Sequence, residues 1–127
     1  MSRAQGTKED SERLAANVRS ALAKAGAVRE VKMFGGIGFM LNGNLLVAAS
    51  KRGLLVRVGK AGERDALTRR GARPMVMRGR RMSGYVYVDP DDLNERAARK
   101  WVQLAVSFVG TLPAKVSASR SRAAKAK

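Results

Sequence analysis

Lys32-Met33-Phe34-Gly35-Gly36-Ile37-Gly38-Phe39-Met40-Leu41-Asn42-Gly43-Asn44 is the stretch on which the fold turns. Glycines at 35, 36 and 38, two phenylalanines and an Asn-Gly pair describe a backbone that makes close approaches. Gly36 to Leu41 and Leu45 to Ala49 flank Asn42-Gly43, a pair able to take the positive φ angles of a tight hairpin. A β-hairpin is predicted there. The glycines also suggest a phosphate-cradling loop, with Lys32 supplying charge, but such a loop needs a helix N-terminus behind it and here a strand pattern follows. Met33, Phe34, Gly35, Gly36, Gly38 and Gly43 are therefore read as structural, permitting a bulge or the tight packing of a helix on the sheet, in preference to a ligand loop.

Working outward, Lys51-Arg52-Gly53 turns the chain into Leu54 to Val58, where Leu54, Val56 and Val58 point to one side and Leu55 and Arg57 to the other. That makes a three-stranded meander, with Val28 to Met33 read as a short strand or an extended link. Upstream, a helix starts near Glu9 to Ser11, buries Leu14, Val18, Ala21 and Leu22, and stops at Gly26. Downstream, Ala61 to Arg70 reads as a short helix ended by Gly71, its thin stripe of Ala61, Ala66 and Leu67 placing it at the edge of the core. Met75 to Met77 and Met82 to Val88, joined by a basic turn through Arg78 to Arg81, form a second hairpin. Asp89-Pro90-Asp91-Asp92 is a strong helix start, and Leu93, Ala97, Trp101, Leu104 and Phe108 share one face of the helix that follows, which ends at Gly110 and Pro113. The order α-β-β-β-α-β-β-α predicts an α+β fold, a two-layer antiparallel sheet with helices mainly on one face. Residues 1–8 are expected to be a flexible leader, 9–112 one domain and 113–127 a disordered basic tail.

The chain has 127 residues, no cysteine and no histidine, which removes disulfides, thiolate chemistry and the commonest metal ligand together. Neither a metal nor a cofactor is expected. Met1 to Glu12 is polar, and the longest uncharged run, Trp101 to Ala114, is too short to cross a bilayer, so a cytoplasmic protein without a membrane partner is expected. Lysine and arginine number 26 against 10 acids, a net charge of +16. Most of that excess lies within residues 28–114 and the rest mainly in the tail, so the folded part is itself basic. Such a field attracts polyanions and says nothing of sequence selectivity.

Leu54-Leu55-Val56-Arg57-Val58 and Met82-Ser83-Gly84-Tyr85-Val86-Tyr87-Val88-Asp89-Pro90, following the glycine-rich stretch in that order, resemble the N-terminal domain of the TfoX (Sxy) family over about Val31 to Phe108. The resemblance implies a two-layer, secretion-chaperone-like α/β architecture and a part in transcription and the regulation of bacterial competence. Fuller family members carry a second, C-terminal domain, where this sequence has a basic tail.

The best candidate anion surface is the arginine run Arg69, Arg70, Arg73, Arg78, Arg80 and Arg81, with no acid between its ends. Arg57, Tyr87, Tyr85 and Lys32 are candidates to extend it by stacking or charge. The bland alternatives are a solvated edge that keeps a hairpin soluble and tyrosines packed in the core. Catalysis has little to stand on. Once the acids near helix starts are set aside only Glu30, Glu63 and Asp65 remain, and no paired carboxylates, nucleophile set or metal cluster can be assembled, so no catalytic residue is assigned. Two functions follow: a non-enzymatic regulatory protein whose basic face contacts nucleic acid or a DNA-bound regulator, or a module that binds an acidic protein partner or a second copy of itself, as in a homodimer.

Overall fold

The computed structural model describes residues 8–26, 28–33 and 35–114; residues 1–7 of the expected leader, 115–127 of the expected tail and Phe34 of the glycine-rich motif lie outside the described residues, while Lys8 belongs to a helix. In chain order the elements are α1 (Lys8–Ala21), β1 (Val28–Met33), β2 (Gly36–Leu41), β3 (Asn44–Ser50), β4 (Gly53–Arg57), α2 (Lys60–Leu67), β5 (Ala72–Met77), β6 (Arg80–Val88) and α3 (Glu95–Val109). The six strands form one antiparallel sheet in the order β1-β2-β3-β4-β6-β5. This is the expected α+β layering with one strand more than the expected order. The extra strand is Val28–Met33, whose three charged side chains suit an edge that faces water.

The hairpins form where turn chemistry demands. Asn42 and Gly43 take φ of 53° and 82° between β2 and β3, and Arg78 and Gly79 take 53° and 77° between β5 and β6. Because β6 rather than β5 pairs with β4, the second hairpin folds back and lays its longer strand against the middle of the sheet.

Helices α1 and α3 pack on β3 and β4, and α2 on β5 and β6. Buried side chains from all three join Phe39, Leu46, Leu54, Val56, Val86 and Val88 in one core, which puts the helical layer on one face. In α3 the fully buried stripe is Ala98, Trp101, Val102, Ala105 and Val109, with Leu104 and Phe108 half-buried beside it. The stripe is thus rotated from the expected Leu93-Ala97-Trp101-Leu104-Phe108 face. Alanines at 98 and 105 let the helix axis approach the sheet closely, and the larger residues fill the flanks.

The start of α3 also differs from the expectation. Asp89-Pro90-Asp91-Asp92 forms a single 3-10 turn in which Asp89 caps nothing, and the helix proper is capped by Asn94, whose Oδ1 accepts from the Ala97 N–H at 2.8 Å. The carboxylate of Asp89 is instead held by Arg73. Asn94→Ala is accordingly expected to cost about 1 kcal/mol, read as a drop in the urea midpoint, and Asp89→Ala less.

The opposite face of the sheet carries a second, smaller core. Across the strands Gly38 pairs with Ala48, Ala48 with Leu55, and Leu55 with Tyr87. Side-chain size rises along that row, and Ala48, Leu55, Met75 and Tyr87 are buried there, with Met33, Met77 and Met82 packed around them. The flexible methionines fill the irregular space left between residues of unequal size. Gly38 belongs to this packing: a Cβ on it would come within 2.5 Å of the Met33 sulfur. A Cβ on Gly36 would meet the β3 backbone at Ala49. The close neighbours of these two glycines are Met33 and a strand, not a helix.

Candidate nucleic-acid interface

The β5–β6 hairpin carries most of the arginine run, and its length divides that run in two. Nine residues of β6, Arg80 to Val88, span about 27 Å at the rise of an extended strand, so Arg78 and Arg80 stand far from Arg69 and Arg70. The two ends differ in their charge balance.

At the end near Val88 every arginine has an acid. Arg69 meets Asp65 at 3.4 Å, Arg70 meets Asp92 at 3.1 Å and Arg73 meets Asp89 at 2.7 Å. Arg69 also lies over the Trp101 ring, 5.8 Å from its centroid, and Arg73 over Tyr87 at 5.3 Å. A shallow cleft lies here, lined by Arg69, Arg70, Asp91, Asp92, Lys100 and Trp101, but its carboxylates offset its cations. These pairs are exposed and contribute little stability, yet each cancels charge that a polyanion would otherwise meet.

At the hairpin tip the balance is reversed. Arg78 and Arg80 are exposed and enter no ion pair among the described residues. Arg81 reaches across to α2 and meets Glu63 at 3.0 Å, which brings the tip to within about one helical turn of Lys60. Strand β4 ends at Arg57 opposite Tyr85, beside the same part of β6. Arg57 and Lys60 thus lie beside Ser83 to Tyr85, farther along β6 than the exposed Arg78 and Arg80, with the Arg81–Glu63 pair between the two groups.

Glu63 is the residue that sequence reasoning missed, having left it merely unassigned. Its side chain is 12% exposed; Oε1 accepts the Gly84 N–H at 2.8 Å, and Oε2 accepts from Arg81 Nη2 at 3.0 Å and Nε at 3.2 Å. The Gly84 amide and then the Arg81 guanidinium hold its carboxyl below its ordinary value of 4.5, against the opposing effect of burial. Since the folded state favours the ionised form, its contribution to stability is complete above the unfolded pKa and is lost as pH falls through the lowered folded value. Glu63→Gln is expected to cost roughly 1–2 kcal/mol near neutral pH, and the gap from the parent in urea unfolding should close below pH 4.5. Glu30 is lowered in the same sense by Arg19, whose two hydrogen bonds of 2.6 and 2.8 Å tie α1 to β1.

Other candidates lie elsewhere. Lys32 is exposed on β1, at the opposite edge of the sheet from β5. Tyr87 is 5% exposed and packs in the second core under Arg73, so its ring presents no free face. The described glycines of the motif, Gly35, Gly36, Gly38 and Gly43, belong to β2 and its turns and are not joined to the arginines. Among the described residues no group of three or more acids is placed to hold a metal ion, and no helix is long and apolar enough to cross a membrane.

No curated protein and no solved structure matches the chain. The model of the TfoX N-terminal domain matches residues 20–109, from the last turn of α1 to the last residue of α3. That span takes in every strand of the sheet, both hairpins and the basic end, and the chain belongs to the TfoX N-terminal domain family.

Proposed function

We propose that this protein is a regulatory protein of the TfoX type that acts by binding rather than by catalysis, contacting nucleic acid through the basic end formed by the β5–β6 hairpin tip, Arg57 and Lys60. The observation that carries the reading is the asymmetry of the hairpin, paired with carboxylates at one end and left cationic at the other. Arginine forks without a carboxylate partner suit phosphate oxygens, and guanidinium groups on a protruding turn can follow a backbone without reading bases. Contact with the phosphate backbone is therefore the mode supported. The acids that a catalytic reading would need, Glu30, Glu63 and Asp65, are each engaged by an arginine. Fluorescence anisotropy of duplex DNA, single-stranded DNA and RNA with the full chain, across a salt series, tests it. Binding with a slope that depends on the tip arginines is expected; a flat response to salt would overturn the reading.

One observation favours a second reading, association with an acidic protein or with a second copy. Val76 is 55% exposed on the edge strand β5, an unusual place for a large apolar side chain. If that edge pairs with another chain, sedimentation of the full chain should show a concentration-dependent dimer that Val76→Lys abolishes, and a monomer throughout would exclude self-association.

A further inference from the structure

Where β4 runs out, the chain forms a cleft of about 410 Å³ lined by Arg57, Lys60, Ser83, Tyr85 and Phe108, with Gly59 and Gly84 in its floor. Its walls are mainly apolar and its polar groups few, and it is as shallow as the cleft at the other end of the hairpin. Arg57 is half-buried at its rim, with its guanidinium carbon 5.7 Å from the centroid of Tyr85 and 5.8 Å from that of Phe108. Two aromatic rings thus hold the guanidinium in place. Among the described residues it makes neither an ion pair nor a hydrogen bond, so all its N–H donors remain available. Gly59 and Gly84 let the walls pack closely: a Cβ on Gly59 would lie 2.6 Å from the Phe108 ring, and one on Gly84 would lie 3.3 Å from the Gly59 and Lys60 backbone.

We infer that this cleft binds a nucleoside phosphate, with the phosphate on Arg57 and Lys60 and the base against the Tyr85 and Phe108 side, the Ser83 hydroxyl being already engaged by Glu63. The inference rests on the nucleic-acid reading above and names a defined pocket within it. A fixed, unpaired guanidinium selects an anion, and an apolar wall with aromatic edges selects a flat, weakly polar group attached to that anion. A nucleotide joins the two within one molecule of suitable size. The same chemistry is offered by a free mononucleotide and by the end of a single strand, which would bring its remaining phosphates toward Arg80 and Arg81.

Amide chemical-shift titrations of the full chain with adenosine monophosphate, adenosine, inorganic phosphate and a short single-stranded oligoadenylate test the site. Adenosine monophosphate should perturb residues 57–61, 83–85 and 108 and bind at least about tenfold more tightly than adenosine or phosphate alone. Arg57→Gln should weaken it by at least about tenfold, Arg57→Lys by less, with the thermal midpoint of both near the parent's. The same shifts at lower oligonucleotide concentration identify a strand end as the occupant; shifts with the mononucleotide only identify a free nucleotide. Either supports the site. No response in those residues at about 10 mM, or equal affinity for phosphate and nucleotide, overturns it. If the cleft is silent while salt-dependent polynucleotide binding through Arg78 and Arg80 persists, the cleft alone is excluded and the basic end stands.

Discussion

Arg78→Ala with Arg80→Ala lowers polynucleotide affinity by at least about tenfold at low salt and reduces the slope of log K against log salt by about 1.5. The expectation follows from position. Both side chains are exposed on or beside a two-residue turn, neither is bound by a carboxylate among the described residues, and Glu63, the partner of the adjoining Arg81, is already occupied by Arg81 and Gly84. Each phosphate contact removed returns about one counterion to the accounting, so two arginines change the salt dependence by an amount that anisotropy resolves. Folding should be unaffected, because neither residue contributes to a core or to an ion pair. A loss of affinity with no change in salt slope would mean that the variant acts indirectly.

The second large effect concerns the fold that presents this end. Gly53→Ala is expected to destabilise the domain by about 3–5 kcal/mol, combining backbone strain with an overlap that neither strand can relieve cheaply. Gly53 opens β4 at φ 120°, and a Cβ there would run into the carbonyl oxygen of Val88 on the neighbouring strand while meeting Pro90 Cδ at 3.2 Å. The obstacle is backbone on the central β4–β6 pair, where Leu54 opposes Val88 and both are fully buried. In a domain of this size the thermal midpoint should fall by about 15 °C or more. Gly79→Ala provides the comparison: φ is 77° but nothing lies within 4 Å, so only the strain of about 1 kcal/mol applies. Equal losses at the two positions would show that the β4–β6 contact is not as close as described.

What could be read from the sequence follows the range of the interactions involved. The Asn42-Gly43 turn, the alternation in β4 and the helical period of α1 are local signals, and each marks the element it should. Val28–Met33 reads ambiguously because an edge strand is only partly buried and its charges blur the alternation. Asp89 and Asp92 look like capping residues and suggest too early a start for α3, whereas Asp89 is held by Arg73 from β5 and Asp92 by Arg70. The arginine run was legible as composition but not as a surface. Partners such as Arg81 and Glu63 lie 18 residues apart, and only the hairpin shows that four of the six arginines are paired with carboxylates while Arg78 and Arg80 are not. Tyr87 reads from sequence as core in preference to a stacking platform, and its burial opposite Leu55 agrees with that reading.

The most direct test of the account compares two variants of equal net charge in the full chain, Arg78→Ala/Arg80→Ala and Arg70→Ala/Arg73→Ala, in the same salt-series binding experiment. Each removes two positive charges, so any difference reports location rather than the overall field. The account predicts a loss of at least about tenfold for the tip pair and less than about threefold for the pair already matched to Asp92 and Asp89. Equal losses, or a larger loss for Arg70 and Arg73, would contradict it and leave only the nonspecific attraction of a basic chain.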